Sequence, residues 1–212
     1  KQGDASVLQR LMAQLNADGV HAADLTAALA EAKASGPVYH KLDTHWNDRG
    51  ALAAYRAIAD KAMEQNPDLQ LPLYNGLVFM QKPFTGDLAS TMLGLEGTES
   101  APTHGLTAFS ADSGDHYAPK LSTTSTQSAS FVVYRDSFGT ALVPYIAQGS
   151  ASAFFTRALP YDFTAAKGAD VVVLEIAERN IATMLKEITV PDFTVDGPVT
   201  EPEPEPEPES PY

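Results

Sequence analysis

The chain of 212 residues contains no cysteine. That absence removes thiol nucleophiles, disulfide bridges and thiolate metal sites together, while leaving the compartment open, because a disulfide-free protein can be cytosolic or exported. No apolar run approaches the roughly 20 residues that a membrane span requires, and no basic stretch followed by an apolar one stands at the start. Cations are scarce. Fourteen Lys and Arg stand against 27 Asp and Glu, a net charge of -13 with pI near 4.6. Such a charge balance argues against nucleic acid or an anionic membrane surface as the main partner. Five of the acidic residues belong to the tail EPEPEPEPE, which leaves about -8 for the rest.

What is present is the composition of a globular protein, 44% hydrophobic, in a length that suits one domain with a sizeable core or at most two small ones. Val7, Leu8, Leu11, Met12 and Leu15 follow helical spacing, and Gly19 ends that helix ahead of an expected short strand, Val20 to Leu25. A second helix is expected over 25–34. A third begins after Asn47, a good cap, and its apolar face (Leu52, Tyr55, Ile58, Ala59, Ala62, Met63) runs until Asn66-Pro67 stops it. Between 67 and 128 the pattern breaks into short apolar pieces among Gly, Pro, Ser and Thr, with an expected strand at Leu73 to Met80 and a short helix at Asp87 to Leu93. The segment reads as an insertion or long connection, since structureless loops of that length are unusual in compact domains.

Order returns with ASFVVY (129–134), then RDSFG (135–139) and an apolar helical stretch, 140–148. A shorter strand is expected over 155–159. ADVVVLEI (169–176) is a continuous apolar run without polar alternation, which predicts a strand covered on both faces of a parallel sheet. The sum is an α/β domain over 1–195. After it the Glu-Pro repeat, 196–212, predicts an extended, solvated tail or linker that forms no core. No repeat of solenoid length is present.

Chemistry concentrates around YHKLDTHWNDRGALAAY, 39–55. His21 lies on the expected early strand, and His104 and His116 fall in the polar 67–128 segment. Asp43-Thr44-His45 supports three readings. With His40 the pair offers ligands for zinc or iron, though the spacing matches no strong signature. Alternatively Asn47 caps a helix and its neighbours are bystanders. In the third reading His45 is a general base oriented by Asp43, and a serine must come from elsewhere. Two serines follow aspartate. Ser113 in ADSGDH has no convincing strand behind it, whereas Ser137 comes off ASFVVY directly before a helix, the place where open α/β folds put their active sites and where free amides can bind an oxyanion. An N-cap serine would look the same locally.

Taken together, 39–55, FTGDLASTMLGL (84–95), FVVYRDSFGTALVPYIAQ (131–148) and VVVLEIAERNI (171–181) resemble the SGNH-hydrolase-like domain of the alginate O-acetyltransferase group, the AlgJ and AlgX proteins and their relatives. The resemblance runs from about Tyr39 to Ile181. It implies a flavodoxin-like, three-layer fold with a parallel sheet, and a Ser137-His45-Asp43 triad that moves an acetyl group onto a polysaccharide hydroxyl through an acyl-serine. An acetyl esterase with the same triad and a catalytically silent polysaccharide-binding module are the alternatives. Ordinary SGNH hydrolases place the serine block first, so the resemblance also implies a circular permutation. No cofactor or metal is expected, and charge and the lack of a long apolar run already speak against nucleic acid and a span in this chain. The resemblance further implies a polysaccharide acceptor, an acetyl donor supplied by a membrane acyltransferase partner, and a periplasmic or secreted location with the signal segment not in this chain.

Arg135-Asp136-Ser137 stands where the superfamily has Gly-Asp-Ser, and Glu178-Arg179-Asn180 departs from Gly-x-Asn-Asp. The oxyanion donors expected are therefore the Ser137 N–H first, with Asn180 or Arg179 second. Laid on a five-stranded flavodoxin-like sheet, the strands near Phe131, Phe155 and Val171 take the first three places and Val20 to Leu25 the fifth. The fourth is expected upstream of Lys1, or another element replaces it.

Overall fold

The computed structural model describes residues 5–182. The Glu-Pro tail lies outside them. Helix α1 (Val7–Ala17) starts at a reciprocal cap in which the Ser6 hydroxyl accepts the Gln9 N–H and the Gln9 side chain accepts the Ser6 N–H. At its end Gly19 adopts φ 72°. The Gly19 N–H donates to Asn16 O (3.2 Å) and the Val20 N–H to Leu15 O (2.8 Å). This paired C-terminal cap takes Val20 for the helix end, and the strand expected over 20–25 does not form.

Helix α2 (Thr26–Ala32) leads to α3 (Asp48–Gln65), where the Asn47 carboxamide oxygen accepts the N–H groups of Arg49 and Gly50. Buried Ala51, Leu52, Ala54, Tyr55 and Ala59 on α3 join Val143, Tyr145 and Ile146 of α4 (Val143–Gly149) in the main core. Burying side chains of this size stabilises the fold by about 1.5–3 kcal/mol for each large apolar group, before the entropy of ordering. No helix among the described residues is long and apolar enough to cross a membrane.

The segment 67–128 carries four strands. β1 (Met80–Phe84) and β2 (Glu99–Thr103) form an antiparallel hairpin, so the strand expected over 73–80 is displaced and only its last residue belongs to β1. A five-residue π-helical turn, Leu88–Met92, lies between them. β3 (Ser110–Ala111) and β4 (Lys120–Thr124) instead join the main sheet, whose order is β3-β4-β6-β5-β7 with β5 Ser130–Tyr134, β6 Ser152–Thr156 and β7 Val171–Leu174.

β5 pairs in parallel with β6 and β7, while β4 runs antiparallel to β6 and β3 to β4. The sheet is thus mixed rather than parallel. β6 begins three residues before the expected start at Phe155 because Ser152–Thr156 registers with Ser130–Tyr134. Phe131 and Val133 face α3 and α4, whereas Val132 and Tyr134 meet Tyr161, Phe154 and the 3-10 turn Phe163–Ala166. β7 lies at the sheet edge with Val172 50% and Leu174 48% exposed. Its apolar run therefore has one covered face among the described residues, not two.

Candidate active site

The site forms where two loops meet at the carboxyl end of β5. The first is 40–45, closed by the bridge between Tyr39 and Trp46 and by the Asn47 side-chain amide donating to Pro37 O (2.9 Å) and Tyr39 O (3.3 Å). The hairpin β1–β2 holds this loop from outside. Glu99 of β2 accepts the Lys41 and Leu42 N–H groups. Asp87 accepts the Thr44 N–H and hydroxyl, both at 2.8 Å, and its own N–H donates to Asp43 Oδ2 (2.9 Å). Gly86 lies so close that a Cβ would fall 2.0 Å from Leu42 O, so only glycine admits the contact.

The second loop is the turn Arg135-Asp136-Ser137. Asp136 fixes it, with Oδ1 accepting the Phe138 N–H (2.8 Å) and Oδ2 accepting the Ala177 N–H (2.8 Å) and the Asn180 amide (2.7 Å). The two loops dock through Trp46, whose indole N–H donates to Phe138 O (2.9 Å) and whose ring meets the Phe138 ring edge-on at 5.3 Å.

This docking brings together three of the residues read from the sequence. The Ser137 hydroxyl lies 2.8 Å from His45 Nε2, and His45 Nδ1 lies 2.7 Å from Asp43 Oδ1. Asp43 Oδ1 also accepts the His45 N–H (2.9 Å), so the carboxylate fixes both ring and backbone of the histidine. With Nδ1–H donating to Asp43, Nε2 is the acceptor for the Ser137 hydroxyl proton. Burial pulls the Asp43 pKa upward, but hydrogen bonds from the Asp87 N–H, the His45 N–H and the His45 ring outweigh it and hold the group below its ordinary value. The arrangement can activate a hydroxyl for attack on a carbonyl.

Ser113 is not part of it; its hydroxyl accepts the Asp115 N–H in a loop turn. Nor are the ligands weighed for a metal gathered as His40, Asp43 and His45. The cluster that does gather is Asp43, His45 and Asp87, within 4.8 Å of one another. All four of its carboxylate oxygens already accept N–H or O–H groups.

Of the oxyanion donors expected, the Ser137 N–H has no acceptor within the described residues. Asn180 and Arg179 do not line the cavity: the Asn180 amide donates to Asp136, and the Arg179 guanidinium lies 4.9 Å from the Phe138 ring centroid. These two residues brace the serine turn instead. The helical start behind Ser137 is a 3-10 turn, Phe138–Leu142, where an α-helix was expected.

A cavity of about 290 Å³ opens over Ser137 and His45. His40, His104 and His116 on its wall are each shifted toward the neutral form, chiefly by burial. His40 stacks on Phe84 with centroids 3.9 Å apart.

Below the serine turn Glu175 is buried, and its carboxyl accepts the Asp136 N–H (3.2 Å). Burial first, and the neighbouring Asp136 carboxylate second, push its pKa up to about 8. A folded value above the unfolded 4.5 means that the stability tied to this proton is present below pH 4.5 and is lost as pH rises through about 8. Glu175→Gln keeps the acceptor without the titration, so its melting temperature falls less than that of the wild type between pH 4.5 and about 8. Thermal melts across that window check this; parallel curves contradict it.

The sequence did not reveal the parts played by Asp87, Gly86 and Arg135. The first two stand in the FTGD stretch that carries part of the resemblance, but their role is to hold the 40–45 loop, a long-range contact with no local pattern.

Fold and site together are those of an α/β domain with a serine–histidine–aspartate relay. Residues 1–132 match the family described as "SGNH hydrolase-like domain, acetyltransferase AlgX", and the chain belongs to that family. The matched span includes Asp43, His45 and Asp87 and ends before Ser137, whose place rests on the geometry above.

Among solved structures, a DHHW family protein from Eubacterium siraeum has a TM-score of 0.53 at 15% identity, covering 79% of this chain and 69% of its own. PatB1 of Bacillus cereus, with a sulfonyl adduct, has 0.48 at 15% (72% and 67%). The O-acetyltransferase domain of Pseudomonas putida AlgJ has 0.47 at 21% (84% and 68%). The first is a likeness of fold alone, and the other two scores are too low to carry an argument. No curated protein matches the chain in sequence.

Proposed function

We propose that the chain is an O-acetyltransferase that moves an acetyl group onto hydroxyls of an exopolysaccharide through an acyl-serine intermediate on Ser137. The observation that carries the reading is the continuous relay from Ser137 Oγ to His45 Nε2 (2.8 Å) and from His45 Nδ1 to Asp43 Oδ1 (2.7 Å). In the first half-reaction Ser137 Oγ attacks the donor's acetyl carbonyl as its proton passes to His45 Nε2. The tetrahedral adduct places its oxyanion against the Ser137 N–H. Collapse breaks the bond to the donor, whose leaving oxygen takes the proton from His45, and acetyl-Ser137 remains.

In the second half-reaction the acceptor hydroxyl gives its proton to His45 as its oxygen attacks. The acyl bond to Ser137 breaks and Oγ takes the proton back. Asp43 stabilises the imidazolium in both halves.

The proposal includes a permuted, flavodoxin-like SGNH layout, supported by the parallel order β6-β5-β7 and by Asp43 and His45 preceding Ser137. It also includes a periplasmic or secreted location and a membrane acyltransferase that supplies the donor, both suggested by the resemblance to the alginate O-acetyltransferase group.

The test is incubation with a chromogenic acetyl ester, with and without oligosaccharide acceptors, followed by mass spectrometry of the sugars. Acetylated oligosaccharide is the expected product. Acetate alone across a broad acceptor panel contradicts the transferase and favours an acetyl esterase, since only the acceptor differs.

A further inference from the structure

The cavity wall carries a feature that the relay does not use. Tyr117 lines the cavity and is 59% exposed, while the loop that carries it is pinned. The Tyr117 N–H donates to Asp115 Oδ1 (2.8 Å) and the Ala118 N–H to Asp115 O (3.0 Å). From below, the buried Arg135 guanidinium donates to His116 O (2.7 Å), Ala118 O (3.3 Å) and the Thr140 hydroxyl (2.8 Å).

Arg135, two residues before Ser137, stands where the superfamily has glycine. It ties the serine turn to the loop that presents Tyr117. A large aromatic ring that stays exposed on a fixed loop loses little freedom when a flat partner covers it.

The rest of the wall narrows the partner's chemistry. It offers the imidazoles of His40, His104 and His116 and the ring of Phe84, and its carboxylates are Asp43 and Asp48. Among the described residues no Lys or Arg side chain lines it. A ligand that brings a carboxylate into this space meets two acidic groups and, among the described residues, no cation on the lining itself. One with hydroxyls and an apolar C–H face finds hydrogen-bonding imidazoles and an aromatic platform.

We infer that Tyr117 is the platform of the acceptor subsite, on which an uncharged sugar ring stacks so that its hydroxyl faces the acetyl group carried by Ser137. The inference rests on the proposed acyl-serine, and it assigns Arg135 a positioning role through the loop.

Partition of the acyl-enzyme tests it. With donor saturating, the ratio of acetyl passed to a neutral oligosaccharide against acetyl released to water is independent of how fast Ser137 is acylated. Tyr117→Ala is expected to lower that ratio about tenfold at fixed acceptor concentration, about the loss of one aromatic contact, and Tyr117→Phe to retain it. The wild type is expected to prefer the neutral oligosaccharide over a uronate oligomer of equal length. An unchanged ratio in Tyr117→Ala, or a preference for the uronate, overturns the inference while leaving acyl-serine chemistry standing. Ester hydrolysis that survives Ser137→Ala removes the acyl-serine and the inference with it.

Discussion

Ser137→Ala is expected to lower both ester hydrolysis and acetyl transfer by about 10⁴-fold or more, the loss seen when a serine–histidine unit is deprived of its nucleophile. The cause is specific to one atom. Ser137 Oγ is the hydroxyl that meets His45 Nε2, at 2.8 Å, and the other serine preceded by aspartate, Ser113, sits in a loop turn with no histidine partner among the described residues. The fold should survive, because Ser137 is half-buried and loses one hydrogen bond, about 1 kcal/mol, while Asp136 and Trp46 still hold the turn. Far-ultraviolet circular dichroism together with initial rates on a chromogenic acetyl ester separates loss of chemistry from loss of structure. A folded variant that keeps its hydrolysis rate contradicts the assignment.

Asp43→Asn carries the second large effect, about 10⁴-fold in turnover, by analogy with the loss when the orienting carboxylate of such a relay becomes an amide. Asp43 Oδ1 accepts both the His45 N–H and the His45 ring, and Oδ2 accepts the Asp87 N–H. An amide cannot accept at both ends. It either loses the bond to Asp87 or turns its N–H₂ toward His45 and favours the wrong tautomer. Its inability to stabilise the imidazolium should appear as a fall in turnover larger than any change in KM. Since hydrogen bonds hold the Asp43 pKa low, the wild-type dependence on this carboxylate should persist below the ordinary aspartate range. Steady-state kinetics across pH reads both effects; a turnover within a few-fold of wild type contradicts the role.

Much of this site was visible in the sequence because its parts announce themselves locally. Asn47 is a good N-cap, the apolar face of α3 repeats with helical spacing, and FVVY ends where the serine turn begins. Their union was not visible. Trp46 and Phe138, the pair that docks the two loops, are 92 residues apart.

The strand β4 hides for another reason. In KLSTT only Leu121 and Thr123 are buried, a short alternation that weak polar composition conceals. β7 shows the reverse error, since a continuous apolar run says that a strand is hydrophobic but not whether it lies at the centre or the edge. Arg135 read as a departure from the family pattern, whereas the structure gives it a place under the Tyr117 loop. The order of the blocks was plain from the start; the mixed direction of the sheet needed the pairing of β4 with β6.

The most direct measurement is peptide mass spectrometry on wild type and Ser137→Ala quenched in acid after brief incubation with excess acetyl ester. The expected result is one acetyl group on the peptide containing Ser137 in the wild type. That group should disappear on adding a good acceptor, and it should be absent from the variant. A stable absence of acetyl-Ser137 during turnover at saturating donor, or acetyl on another residue that turns over at the same rate in both proteins, contradicts the account.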